Sequence, residues 1–287
     1  MTLKLSVFTV SAPHETPEEL CNIARETGVE GIEWRCTDID PSFLSEEPSY
    51  WRNNRCTLPL SASDEEISRF RSAAEQANRK IIALTPYLGC DDLENTERAF
   101  RSAAKLGAKM MRVGVPGYNR QENYNDLFDK AVRYLSEVES LSKSYGVKAL
   151  VETHHVTITA SASLAHRLVS RFHPDHVGVL YDPGNMVFEG YENYLLGMQL
   201  LGPYLAHVHV KNAGMFLQNE QHGVDHVWSG SWLPLNEGIV PWKQVLADLK
   251  AVGYDGWYGV EDFTGKYSAK QLLEFYVTKM KEWTEES

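Results

Sequence analysis

The sequence predicts an α/β protein of the (β/α)₈ TIM-barrel class, a single domain over residues 1–287. Apolar runs short enough for strands alternate with helical patterns along the whole chain, and eight such pairs favour a closed parallel sheet over an open doubly wound one. No glycine-rich phosphate fingerprint follows the first strand, which argues against a nucleotide-binding sheet. Four of the runs end on groups able to bind a metal ion, Glu152, Asp182, His209 and Glu261, and a barrel gathers its strand ends on one rim.

Leu3 to Thr9 is the first strand. Thr16 is placed to cap the helix after it, with Pro17 in the first turn and Gly28 at the end. Gly31-Ile-Glu-Trp-Arg35 is the second strand. The stretch from about Thr37 to Ser63 shows no regular period and is expected to fold over the rim, before Ser63-Asp-Glu-Glu66 opens a helix with a capping-box pattern. Lys80 to Pro86 is the third strand, Asp92 to Leu106 its helix, and Lys109 to Val113 the fourth strand. Leu127, Ala131, Leu135, Val138 and Leu141 recur at three- and four-residue spacings, so the fourth helix turns one apolar face to the barrel. Val147 to Glu152 is the fifth strand, with a helix near Ala162 to Phe172. His176 to Asp182 is the sixth, with a helix from Tyr191 to Leu201. Leu205 to His209 is the seventh, with Trp242 to Val252 behind it; Gly256 to Glu261 is the eighth, and Ala269 to Trp283 closes the ring.

Acidic residues outnumber basic ones 39 to 28, a net charge of −11 that repels a phosphate backbone and argues against nucleic acid as a partner. The apolar opening, Met1 to Val10, is too short to span a bilayer and lacks a basic start and a small-residue cleavage site, so no membrane association is expected and the protein reads as cytoplasmic. Cys21, Cys36, Cys56 and Cys90 lack the close pairing of a metal knuckle and are expected to stay reduced. A homo-oligomer is compatible with this sequence.

Singly, each of the four groups has a plain structural reading: Asp182-Pro-Gly-Asn185 makes a good turn, and an acid after a strand is commonly a helix cap. Together, three carboxylates and an imidazole on one rim need a counter-charge. An oxygen-rich set with one nitrogen suits one divalent ion, Mn²⁺ first, with Mg²⁺, Co²⁺ or Zn²⁺ as alternatives, and leaves positions for substrate oxygens. His207 and His209 share a face of the seventh strand. His209 lies nearer the rim and is expected to hold the metal, with His207 one layer deeper as support.

Val151-Glu-Thr-His-His155, Tyr181-Asp-Pro-Gly-Asn185, His207-Val-His-Val-Lys-Asn212, Pro234 to Trp242 and Tyr258 to Phe263 resemble, in that order, motifs of the xylose-isomerase-like sugar isomerases and epimerases, including the ketose 3-epimerases. In the first half only Gly31 to Arg35 and the barrel pattern match. The resemblance implies that Glu152, Asp182, His209 and Glu261 ligate one metal and that Glu152 and Glu261 are the catalytic acid/base pair. Two positions depart from the family's epimerases: Asn185 stands where they carry a histidine, and Met215 where they carry an arginine. Asparagine can bind a hydroxyl but cannot change charge near neutral pH.

The expected activity is isomerisation or epimerisation of a keto sugar or sugar derivative, a small molecule, through a metal-stabilised enediolate. His154, His155, Asn185, Lys211, Arg112 and Glu33 are candidate substrate contacts, with Arg35 beside them, and each could serve instead in a buried ion pair or a cap. Trp34, Trp228 and Trp232 are placed to offer faces to a sugar ring, Trp242 to pack in the core, and His222, Asp225 and His226 to form a polar loop. The same site could instead eliminate water from a keto-polyol of the inosose or dehydroshikimate type. An apurinic-endonuclease-like phosphodiesterase would need histidines on strands three and four, where Thr85, Tyr87 and Arg112 stand. A non-catalytic sugar-binding protein is the remaining alternative.

Overall fold

The computed structural model describes residues 3–218 and 225–285. In chain order its strands are β1 (Lys4–Phe8), β2 (Gly31–Cys36), β3 (Thr57–Leu58), β4 (Lys80–Pro86), β5 (Met110–Arg112), β6 (Lys148–Glu152), β7 (Val177–Tyr181), β8 (Leu205–Val210), β9 (Asn212–Leu217), β10 (Trp228–Leu233) and β11 (Trp257–Val260). Of these, β1, β2, β4, β5, β6, β7, β8 and β11 pair side by side in parallel, and β1 bonds to both β2 and β11, closing the sheet into a barrel. The helices are α1 (Pro17–Thr27), α2 (Asp64–Gln76), α3 (Leu93–Leu106), α4 (Tyr124–Tyr145), α5 (Ala162–Val169), α6 (Pro183–Glu189), α7 (Tyr194–Leu201), α8 (Trp242–Ala251) and α9 (Ala269–Glu285). Among the described residues no helix is long and apolar enough to cross a membrane.

Local chemistry explains most boundaries. Thr16 with Glu19, and Ser63 with Glu66, form reciprocal capping boxes that satisfy otherwise unpaired N–H groups at the starts of α1 and α2. Gly28, Gly107 and Gly146 end α1, α3 and α4 at positive φ, where a side chain would be strained. The period-two alternation of β2 sends Ile32, Trp34 and Cys36 toward the helices and Glu33 and Arg35 into the barrel.

That alternation corrects one expectation: Trp34 does not reach the rim but is fully buried, its ring 4.9 Å from Phe70 of α2. The helix expected after Asp182 is two helices. α6 starts at once because the Asp182 side chain accepts from Asn185 N and Pro183 already has a helical φ, and α7 follows from a second cap, Asn193. α5 stops at Val169, three residues short of the expected Phe172. The stretch after β8 is not a plain loop, since β9 returns on β10 as an antiparallel hairpin with Asn212 opposite Leu233. His222 lies outside the described residues, while Asp225 and His226 precede β10 and are exposed. The irregular insert does cross the rim: Trp51 lies 4.9 Å from Phe263 and 5.9 Å from Tyr87, centroid to centroid.

Candidate metal centre

Glu152 ends β6, Asp182 follows β7, His209 sits near the end of β8 and Glu261 follows β11, so parallel closure brings all four to one rim. All are buried, His209 and Asp182 completely. His209 Nδ1 lies 3.8 Å from Glu152 Oε1, 3.7 Å from Asp182 Oδ2 and 3.6 Å from Glu261 Oε2. These spacings exceed a hydrogen bond, and Nδ1 is buried with no hydrogen-bond partner. Most buried polar atoms in folded proteins are paired, and an unpaired nitrogen facing three carboxylates within 3.8 Å fits a shared cation.

The other face of His209 is occupied. Nε2 lies 3.0 Å from Glu33 Oε2, Phe8 stacks on the ring at 5.5 Å, and Glu33 also takes His207 Nε2 at 2.8 Å and the Thr85 hydroxyl. A carboxylate taking the Nε2 hydrogen leaves the Nδ1 lone pair for a metal. His207 Nδ1 meets the Trp257 carbonyl at 3.1 Å, one layer below. Burial alone would raise the Glu33 carboxyl, but the facing His209 and His207 hold it well below the usual range. Burial would likewise push His209 down, yet the Glu33 charge and the facing Asp182 and Glu261 carboxylates raise it well above an ordinary histidine.

Asp182 divides its oxygens. Oδ1 accepts Asn185 N at 2.9 Å and caps α6, while Oδ2 faces His209 and lies 2.9 Å from Lys211 Nζ. The cap and the ligand reading of this aspartate therefore concern different atoms. Asn185 Nδ2 donates to Glu152 Oε1 at 3.1 Å and to the Thr153 carbonyl at 3.2 Å, so it orients Glu152. Arg112 Nη1 meets Glu152 Oε2 at 2.7 Å, and Lys211 pairs with Glu261. Burial disfavours the Asp182 and Glu261 charges, but Lys211 and His209 outweigh it and lower both carboxyls.

His154 and His155 stack at 4.4 Å, and His155 lies on Phe188 at 4.6 Å. Burial, with His154 and Lys211 nearby, pushes the His155 imidazole down to about 4. Trp232 faces the centre, its ring 4.5 Å from Lys211 Nζ, whereas Trp228 is exposed on the hairpin and Trp242 packs in the core, donating to the Lys211 carbonyl at 3.1 Å. Glu33, a candidate substrate contact by sequence, has both oxygens engaged by protein groups. A cleft of about 410 Å³ opens at this rim, lined by Tyr87, Arg112, Glu152 and His154 among others. A larger cavity, of about 710 Å³, lies where strands begin, beside Lys109, Lys148 and Gly256, away from the cluster. Sequence reasoning missed the aromatic rim of Trp51, Phe188 and Phe263. Phe263 stands two residues after Glu261 and carried a positional signal; Trp51, inside the irregular insert, carried none.

A family model described as "Xylose isomerase-like TIM barrel" matches residues 21–279. An inosose dehydratase of Geobacillus thermodenitrificans is 26% identical over 196 residues, covering 61% of this chain and 65% of the relative. The match thus spans a little under two thirds of that relative's length. Among solved structures, a D-tagatose 3-epimerase-like protein aligns with a TM-score of 0.70 at 18% identity, over 99% of this chain and 97% of that one. The IOLI protein with a binding zinc atom aligns at 0.70 and 18% identity, over 98% and 96%. At such identities the structural likeness is one of fold.

Proposed function

This chain belongs to the xylose isomerase-like TIM barrel family, and from that premise we propose that it is a divalent-metal-dependent enzyme that moves the proton beside the carbonyl of a keto sugar or related keto-polyol. The observation that carries the reading is the orphaned His209 Nδ1 facing Glu152, Asp182 and Glu261. These four residues would hold the ion, Mn²⁺ being our first choice, which would supply positive charge where the carbonyl oxygen becomes negative. Glu152 and Glu261 sit on separate strands, each beside its own cation, Arg112 or Lys211. Burial disfavours the Glu261 charge, but Lys211 and His209 outweigh it and favour the ionised carboxylate a base requires. One, ionised, would take the carbon-bound proton, and the other, carrying a proton of its own, would deliver that proton to the opposite face, inverting the centre; alternatively the first would return the same proton to the neighbouring carbon while a hydroxyl proton passes between the two oxygens, moving the carbonyl. His154 lines the cleft and would contact a substrate hydroxyl, while Asn185, bonded to Glu152 behind it, would do so only through its free Oδ1. Four free thiols accord with a reducing, cytoplasmic setting.

A second reading ends in loss of water, and two observations favour it: the 26% identical relative is an inosose dehydratase, and Asn185 replaces the histidine of the epimerases. In that branch Glu152 would take the proton and the Lys211 ammonium, paired with Glu261, would protonate the departing hydroxyl.

The test is an NMR screen of free and phosphorylated ketoses and keto-polyols in D₂O with added Mn²⁺. Deuterium entering one carbon beside the carbonyl supports the common step, and an ultraviolet-absorbing enone selects water loss. Full activity after removal of metal sinks both readings.

A further inference from the structure

Two guanidinium groups share one aromatic ring at the barrel mouth. The Cζ atoms of Arg35 and Arg112 lie 5.1 Å and 4.7 Å from the centroid of Tyr87. Arg112 has its own carboxylate, Glu152. Arg35 has none within 4.0 Å among the described residues, although it is only 3% exposed. It donates to neutral oxygens alone, Thr57 Oγ1 at 2.7 Å and the Trp51 carbonyl at 3.3 Å, and its Nε is buried without an acceptor. Asp262, the other buried acid near this rim, is turned to Thr264, accepting from its backbone N–H and its hydroxyl.

Buried charges in folded proteins are paired, and a second cation nearby makes an unpaired one costlier. Lys211 and Arg112 have carboxylate partners at this rim, whereas Asp262 is bonded to Thr264, so Arg35 stays without an acidic partner among the described residues. Its planar fork of donors matches a carboxylate or a phosphate. Tyr87, which bears on both guanidinium groups, also lines the cleft that holds Arg112 and Glu152.

We infer that Arg35, sharing the Tyr87 ring with Arg112, binds an oxyanion carried by the substrate, so that the site takes an anionic keto-polyol in preference to a neutral one. This rests on the reading of the rim as a polyol site and names the class of polyol. Carboxylate and phosphate share the required chemistry.

Calorimetric titration of the Mn²⁺-loaded protein with myo-inositol, myo-inositol 1-phosphate and quinate, which present one ring with no anion, a phosphate or a carboxylate, tests it without turnover. At least one anion should bind about tenfold or more tighter than myo-inositol, and Arg35→Gln should reduce that advantage to about twofold or less. Which anion gains tells phosphate from carboxylate. Arg35→Lys keeps the charge without the fork and serves if Arg35→Gln does not fold: a preference cut about threefold or more supports the assignment, and an undiminished one overturns it. Equal affinity for all three ligands, or a preference that survives Arg35→Gln, also overturns it. Binding of none overturns both this inference and the polyol site, whereas an intact anion preference without turnover on any ketone sinks only the catalytic reading.

Discussion

Glu33 Oε2 lies 3.0 Å from His209 Nε2, across 176 residues of sequence, and this contact aims the opposite ring nitrogen at Glu152, Asp182 and Glu261. Glu33 is in turn pinned by His207 and Thr85. Replacing it by glutamine should weaken Mn²⁺ binding about 10- to 100-fold, the range found when the partner of a ligating histidine is removed. Calorimetric titration, with circular dichroism to show that the fold survives, is the measurement. An unchanged affinity would mean that His209 needs no such support.

His209 is held well above its ordinary value by Glu33, Asp182 and Glu261, despite burial that opposes its charge. A metal must therefore displace a proton from it. Mn²⁺ affinity should rise between pH 6 and pH 8, with about one proton released per ion, read from titrations in buffers of different ionisation enthalpy. A flat profile would show that the imidazole is already neutral.

The metal-free protein should have a two-sided pH profile. Glu33, Asp182 and Glu261 have folded values below their ordinary 4.5, 3.8 and 4.5, so the stability they contribute is present above those values and lost as pH falls through the folded ones. His209 is raised from 6.5, so its contribution is complete below that value and lost as pH climbs through the folded one. Melting temperature after chelation should fall toward both extremes, and saturating Mn²⁺ should suppress the alkaline arm. An alkaline arm of equal depth with and without the ion would assign it to another group.

Glu152→Gln and Glu261→Gln remove a carboxylate but keep its shape. Each should lower turnover by about 10²- to 10⁴-fold, the usual weight of a general base or acid. Deuterium exchange into the ketone locates the lost step, and two fully active variants would exclude both residues from proton transfer.

Gly184 lies where α6 passes β8, and a Cβ built there meets the Lys211 carbonyl carbon, Cβ and carbonyl oxygen at 3.0 Å each. Gly184→Ala should cost about 1–3 kcal/mol by displacing that backbone, and shift the lysine that pairs with Glu261. Thermal melts check the first part, and an unchanged melting temperature would show that the helix can step aside.

The barrel and the four cluster residues were legible in the sequence for one reason. Strand and helix periods are local, and parallel closure then obliges whatever ends a strand to appear on one rim, so Glu152, Asp182, His209 and Glu261 could be grouped without coordinates. The caps at Thr16 and Ser63 were legible for the same reason, because each bonds to a backbone group three residues away. The sequence offered cap and ligand as rival readings of Asp182, and the structure makes them compatible, since Oδ1 caps α6 while Oδ2 is turned to His209.

Tertiary structure alone decided who faces whom inside that rim. Glu33 beneath His209, Asn185 and Arg112 on Glu152, Trp51 brought from an irregular insert onto Phe263, and the Arg35 guanidinium left without a carboxylate all depend on side-chain directions across strands distant in sequence. Local propensity cannot see such pairings. They are set by low-dielectric burial, which favours for each polar atom whatever partner the closed sheet has put within reach.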